Sequence, residues 1–188
     1  MTFNDYLKTC LKNPLFKKYW EEDLAELDID FDFKIAESLT VSEALTLLEK
    51  ENLDNISADI IKNKGVAKNI DIGTEIIFFE EEGGKCPVQT FLTDIKDEKL
   101  KAKTLSDILL LAMSGNNASY PLSKYVKDGI FELRSKAGSN ITRILYFFVI
   151  GNKIIMTNGY IKKKQKMDQR EFTKAKKAME KYLKNLNK

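Results

Sequence analysis

Two arginines and a tyrosine are the residues of this chain whose types and spacing best fit chemistry. Gly151-Asn152 is a two-residue turn signal between two apolar runs, and antiparallel pairing around it places Arg143 opposite Tyr160. A turn at Gly138-Ser139 places Arg134 opposite Arg143 by the same count. The three side chains then form a row across three strands, on one face of a sheet, which we call the arginine row.

Two arginines directly opposed on a sheet repel each other, so the row is expected to hold an anion. Its predicted position is an open sheet face, where a phosphate group would fit. The alternative is structural: Arg134 pairs with Glu132 or Asp128, and Arg143 runs its stem past apolar neighbours. A slip of one residue in the pairing would send Arg143 to the opposite face.

Lysines surround this row in the sequence and extend its positive charge. A cluster directly follows the third strand and reads either as a solvated surface run or as a clamp on a phosphate backbone. We predict Arg134, Arg143, Tyr160 and Lys162 as catalytic residues, and Lys124, Lys127, Lys163, Lys164 and Lys166 as substrate-binding residues.

Histidine is absent from the chain, which excludes imidazole acid-base catalysis and His-containing zinc sites. Any chemistry must therefore use lysine, arginine, tyrosine or carboxylates. Arginine guanidinium groups suit the stabilisation of negative charge, because they are planar, donate paired hydrogen bonds and stay ionised. Crowding among the lysines is expected to lower one lysine pKa towards a neutral amine, and Tyr160 is a candidate to relay a proton or stack on a base. No metal or cofactor is expected.

Turn and helix signals divide the chain into two parts. Residues 1–70 form a predicted small helical N-terminal domain, with helices at about 2–11, 14–27, 40–53 and 57–64. Residues 71–188 have the order β-α-α-β-β-β-α, which predicts an α+β domain with a mostly antiparallel sheet and helices covering one face. The segments 40–53 and 55–64 could form a helix-turn-helix, but the second has little positive charge and the region is acidic, so direct DNA binding is not favoured.

Charge is distributed unevenly along the chain. Residues 1–70 carry 9 Lys/Arg against 14 Asp/Glu, whereas residues 71–188 carry 22 against 14. This asymmetry predicts a polyanion partner for the second part and supports the hypothesis that the acidic first part covers the basic face in cis. No apolar run reaches membrane-spanning length, the N-terminus lacks a secretory signal, and two distant cysteines fit no disulfide framework, so we expect a cytoplasmic protein without a membrane partner.

From Glu75 to Tyr182 the sequence resembles RelE/HigB-type toxins, in a branch related to a phage-derived family. The resemblance rests, in order, on EIIFFEEEGGKCPVQTFL, SKYVKDGIFELR, ITRILYFF and NGYIKKKQK, followed by a lysine-rich helix. It implies a RelE-like fold and maps the functional arginines of the family onto Arg134 and Arg143. Relatives often carry histidine where Asn158 stands. The first 24 residues more loosely resemble the opening helices of HigA-type antitoxins.

The resemblance implies a toxin–antitoxin function: a metal-independent mRNA interferase, an endoribonuclease acting on ribosome-bound mRNA. Its implied partners are mRNA, the ribosome and an antitoxin, either in cis (residues 1–70) or in trans. The missing histidine keeps a second interpretation open, in which the chain is a catalytically silent RNA- or ribosome-binding module or a regulatory toxin–antitoxin fusion protein.

Overall fold

The computed structural model describes residues 3–26, 74–150, 152–162 and 168–186. Within them, the elements in chain order are α1 (Phe3–Cys10), α2 (Pro14–Glu26), β1 (Glu75–Phe78), α3 (Pro87–Asp94), α4 (Glu98–Ser114), a short 3-10 helix (Gly115–Asn117), β2 (Ser123–Lys127), β3 (Ile130–Ala137), β4 (Asn140–Val149), β5 (Lys153–Ile161) and α5 (Gln169–Leu186). The predicted helices 40–53 and 57–64 and the predicted boundary at residues 70 and 71 lie outside the described residues.

The strands form one mixed five-stranded sheet in the order β1-β5-β4-β3-β2, so the fold is α+β. β1 runs parallel to β5, and the other three pairings are antiparallel, as the sequence predicts for most of the sheet. One strand was missed: the segment before Ile130 forms its own strand, β2. Asp128 and Gly129 make the turn between β2 and β3, and both adopt the positive φ angles that such tight hairpins require.

Local sequence signals set the ends of the helices. The Asn13 side chain accepts hydrogen bonds from the backbone N–H groups of Leu15 and Phe16, at 3.0 and 3.3 Å, and Pro14 occupies the first turn of α2. Asp97 caps α4 in the same way, through the N–H groups of residues 99 and 100 at 3.1 Å. These caps satisfy donors that a helix start leaves without a partner.

Helices pack on both faces of the sheet, whereas the sequence predicted helices on one face. α4 covers the face that carries Leu133, Ile144 and Tyr146, and the hydroxyls of Thr104 and Thr142 lie 3.1 Å apart across that contact. α5 packs against the other face: Phe172 and Leu145 belong to one apolar cluster, Ala178 and Phe147 to another, and the ring of Tyr182 meets that of Phe147 edge to face. The lysine-rich helix is amphipathic, and its apolar side requires this second sheet face for burial.

The first two helices belong to the core that α4 and the sheet form. Phe16 and Trp20 of α2 are fully buried and join one continuous apolar cluster with residues of α4, β1 and β4. Asp23 of α2 also reaches Lys103 of α4, with 3.5 Å between the carboxylate and ammonium atoms. Helices α1 and α2 therefore lie on the α4 side of the sheet. None of the helices in the described ranges has the length and apolar composition to cross a membrane.

We predict that Trp20→Ala destabilises the whole fold and not α2 alone. Truncating a fully buried tryptophan costs about 3–5 kcal/mol, because it removes apolar burial and leaves a cavity beneath α4. The unfolding midpoint is expected to fall by roughly 2–4 °C per kcal/mol in a chain of this size. Circular dichroism at 222 nm would measure it, with exposed Glu21→Ala as the control on the same helix. An unchanged midpoint for Trp20→Ala would contradict the shared core.

Candidate active site

The sheet places the arginine row in the predicted register. Arg134 on β3 is directly opposite Arg143 on β4, and Arg143 is directly opposite Tyr160 on β5. The turn at residues 138 and 139 also follows the prediction, with Ala137 and Asn140 as its closing pair. The register of all three strands is therefore confirmed at the row.

The connection between β4 and β5 differs from the predicted two-residue turn, although the register at the arginine row is the same. Its closing pair is Val149 and Lys153, which leaves three residues between the paired strands. A β-bulge in β5 then compensates, because Leu145 pairs with Asn158 and the next residue of β4 pairs with Met156. The extra residue shifts the later part of β5 by one position, which turns Tyr160 onto the face of Arg143. A bulge of this kind is not visible in the sequence pattern.

Glu132 lies between the two guanidinium groups and is the anion that the opposed arginines require. Its two carboxylate oxygens lie 3.5 Å from the Nε atoms of Arg134 and Arg143, one oxygen to each. Both are ion pairs without hydrogen-bond geometry, since neither buried Nε has a hydrogen-bond partner in the described part of the chain. The sequence predicts Glu132 only as a structural partner of Arg134. The position of Glu132 beside the row follows from the strand pattern, because residues two apart on a strand lie on the same face.

Burial differs along the row and corrects the expectation of an open face. Arg143 is only 2% exposed and donates a hydrogen bond from Nη1 to the carbonyl of Thr142, at 3.0 Å. Burial lowers its pKa, because the charged group loses water; the charge of Arg134 acts in the same direction and Glu132 opposes it. The Arg134 side chain keeps 22% exposure, and its Cζ lies 4.9 Å from the ring centre of exposed Tyr120.

Tyr160 and Lys162 complete the site on its β5 side. Desolvation, and next the negative charge of Glu132, raise the pKa of Tyr160 to about 12, while Arg143 opposes the shift. Lys162 continues the sheet, donating its backbone N–H to the carbonyl of Ile141 at 2.8 Å. Its pKa is lowered, first by partial desolvation and then by the positive charge of Arg143. The direction agrees with the prediction; its causes are desolvation and the positive charges of Arg143, Arg134 and Lys124, which Glu132 opposes.

The remaining predicted residues divide into three groups. Lys124 joins the site, since it pairs with Glu132 across β2 and β3 and its charge reaches Lys162. Lys127 lies at the far end of β2 opposite Ile130, four residues or about 13 Å along the strand from Arg134. Residues 163, 164 and 166 lie outside the described part of the chain.

Asn158 stands where the resemblance implies a histidine, and its side chain bonds to α5 instead of to the arginine row. Its Nδ2 donates to Oε2 of Glu171 at 2.7 Å and to the carbonyl of the same residue at 3.3 Å. These bonds tie β5 to the first turn of α5. A cleft of about 440 Å³ adjoins this contact between α3, β5 and α5, and its walls include Asn158 and Glu171 but neither arginine. The helical periodicity of α5 does not predict this hydrogen bond between Asn158 and Glu171.

The described charged groups can bind an anion but show no metal site. Four cations, Lys124, Arg134, Arg143 and Lys162, lie around the carboxylate of Glu132, and the net charge counted over these five groups is +3. Glu171 and Asp168 add negative charge on the Tyr160 side of the site. Among the described residues, no group of three or more acidic, cysteine or histidine side chains is arranged to hold a metal ion. Such a site can bind a phosphodiester, stabilise extra negative charge on it and exchange protons through Tyr160, Lys162 or Glu132.

We predict that Tyr160→Phe reduces the loss of stability at alkaline pH. The folded-state pKa is about 12 and the ordinary value is 10.0, so the unfolded chain releases this proton first. The contribution is fully present below pH 10 and is lost as the pH rises towards 12. Urea unfolding at pH 8 and pH 10.5 would measure it. The difference between the two pH values should be smaller for Tyr160→Phe than for the wild type; an equal difference would contradict the buried neutral phenol.

A comparison with protein families finds a match within the described domain. Residues 94–180 match the family described as Phage derived protein Gp49-like (DUF891), a family in the RelE/toxin-like superfamily. The matched range is slightly under half of the chain, and it contains the arginine row, Glu132, Lys124 and Lys162. No curated protein matches the chain.

Proposed function

We propose that this protein is a toxin of a toxin–antitoxin system, an mRNA interferase of the RelE/HigB type that cleaves ribosome-bound mRNA in the cytoplasm without a metal ion. Residues 71–188 would be the RelE-like toxin domain. The observation that carries the proposal is the pair of guanidinium groups on adjacent strands beside Lys162, within the range that matches the Gp49-like family. The toxin-like superfamily of that match supports the wider role.

The reaction follows from what these groups can do to an RNA phosphodiester. Attack of the 2′-hydroxyl on the adjacent phosphorus builds up negative charge on the phosphate oxygens. Arg134 and Arg143 hold fixed positive charge where that negative charge develops, and a guanidinium stays protonated throughout. Arg134 is the more exposed of the two and would contact the phosphate directly, while Arg143 acts from beneath it.

Tyr160 and Lys162 would handle the leaving group. With a pKa of about 12, Tyr160 keeps its proton at neutral pH and can donate a hydrogen bond. The lowered pKa of Lys162 makes its ammonium a better acid, which suits protonation of the departing 5′ oxygen. Lys124, with Lys127, Lys163, Lys164 and Lys166 further out, would bind neighbouring phosphates and set the position of the strand.

Inhibition would come from an antitoxin, in cis or in trans. The described helices of the N-terminal part, α1 and α2, pack on the α4 side of the sheet, opposite the arginine row. Cover in cis would therefore involve residues 27–70, which lie outside the described residues. The acidic charge of residues 1–70 supports this hypothesis.

We predict that Arg134→Ala lowers mRNA cleavage by ~10²–10³, because it removes a charged donor from the developing phosphorane. Primer extension on a defined mRNA in a purified translation reaction would locate and quantify the cuts. Arg134→Lys keeps the charge without the planar fork and should recover only part of the rate. Lys99→Ala, at an exposed position of α4 on the opposite face, is the matched control. Cleavage by Arg134→Ala at the wild-type rate would contradict the proposal.

A second candidate function is a catalytically silent RNA- or ribosome-binding module, or a regulatory toxin–antitoxin fusion protein. The burial of Arg143 and the ion pairs of both arginines with Glu132 favour it, because a purely structural arginine cluster would have the same geometry. In this case the wild type should sediment with ribosomes and yet cut no mRNA at any concentration. Cosedimentation and primer extension on the same samples distinguish the two functions.

A further inference from the structure

Glu132 has an unusual position for a carboxylate that only neutralises charge. It is 8% exposed and faces two guanidinium groups at 3.5 Å, yet neither of its oxygens accepts a hydrogen bond from any described residue. A structural ion pair of arginine and glutamate normally uses the bidentate fork, with parallel N–H donors at hydrogen-bond distance. Here the lone pairs of the carboxylate stay available to another donor.

The proposed cleavage leaves one chemical role without a good candidate. A group must accept the proton of the 2′-hydroxyl, and the chain has no histidine. Tyr160, with a pKa of about 12, keeps its proton at neutral pH, and Lys162 already serves as the proton donor to the leaving group. An ionised carboxylate is a proton acceptor across the neutral range, and Glu132 is the carboxylate that contacts both arginines of the row.

We infer that Glu132 is the general base of the reaction: its carboxylate accepts the 2′-hydroxyl proton while the flanking guanidinium groups hold the phosphate beside it. The inference rests on the proposed endoribonuclease function and assigns its missing catalytic residue. The strands bring the required partners together, because Glu132 and Arg134 share one face of β3 and Arg143 is opposite Arg134 on β4.

The step balances without a metal or a redox partner. The proton of the 2′-hydroxyl moves to the carboxylate of Glu132, and the 2′ oxygen forms a bond to phosphorus. The bond from phosphorus to the 5′ oxygen breaks, and this oxygen takes a proton from the ammonium of Lys162. The products are a 2′,3′-cyclic phosphate and a 5′-hydroxyl. Exchange with water then returns a proton to Lys162 and removes one from Glu132.

Five groups face Glu132, and their charges predict that loss of the carboxylate affects RNA binding and catalysis differently. They come from four strands and the exit of β5: Lys124, Arg134, Arg143, Tyr160 and Lys162. Replacing the carboxylate with a neutral amide raises the net charge of the site from +3 to +4, as counted over these groups. RNA binding should then be as strong or stronger, although the base is lost.

The test compares Glu132→Gln with the wild type in the full-length protein. Single-turnover cleavage of a defined mRNA in a purified translation reaction should fall by ~10²–10⁴, the usual contribution of a general base. Retention of the same mRNA carrying a 2′-O-methyl group at the mapped cut should be unchanged or increased. A rate within threefold of the wild type would overturn the inference, and so would a loss of retention in a folded Glu132→Gln protein, which indicates a structural role.

A conservative variant provides an independent readout. Glu132→Asp keeps a carboxylate one methylene shorter, so it should cleave more slowly than the wild type but faster than Glu132→Gln. This second variant also serves if the amide variant does not fold. A Glu132→Asp rate no higher than that of Glu132→Gln would overturn the assignment.

The controls separate failure of this inference from failure of the proposed function. If the wild type cleaves and Arg134→Ala does not, while Glu132→Gln cleaves normally, the nuclease stands and Glu132 is not its base. If the wild type cleaves no mRNA under any condition, the nuclease function fails, and the role of Glu132 fails with it.

Discussion

The ion pairs between one carboxylate and two guanidinium groups are the interaction on which the site depends. Two arginines opposed on neighbouring strands repel each other, and the one on β4 is almost fully buried. Without Glu132 this charge would have no compensation under the C-terminal helix, which is a large cost in a medium of low polarity. The same carboxylate keeps both side chains on one face and leaves a net positive surface for a polyanion.

The main apolar core and the arginine row lie on opposite faces of the sheet. α1, α2 and α4 fill one face of the sheet with the main apolar core. α5 covers the other face through Phe172, Ala175 and Ala178, and the cluster around Phe172 includes Tyr160 of the arginine row. The row therefore lies beside the start of α5, where Glu171 and Asn158 fix the helix to β5.

A β-bulge decides which residues of β5 reach the site. Gly159 points the opposite way from Tyr160, and a Cβ at Gly159 would overlap the ring of Phe91 on α3. This close approach of α3 fixes the position of the strand after the bulge. The side chains of Asn158 and Tyr160 are thereby held towards α5 and the arginine row. A shift of one residue would remove Tyr160 from the row and force a side chain against Phe91.

Local sequence signals determined the helix caps, the strand at residues 75–78, the turn at Gly138 and the opposition of the arginines, because these depend on residues close together in the chain. Only the tertiary structure decided the bulge in β5, the second helical layer, the burial of Arg143 and the sharing of Glu132. Each of these depends on contacts between elements far apart in sequence. The burial of a residue depends on the elements that pack over it, and the residue pattern within a strand does not specify those elements.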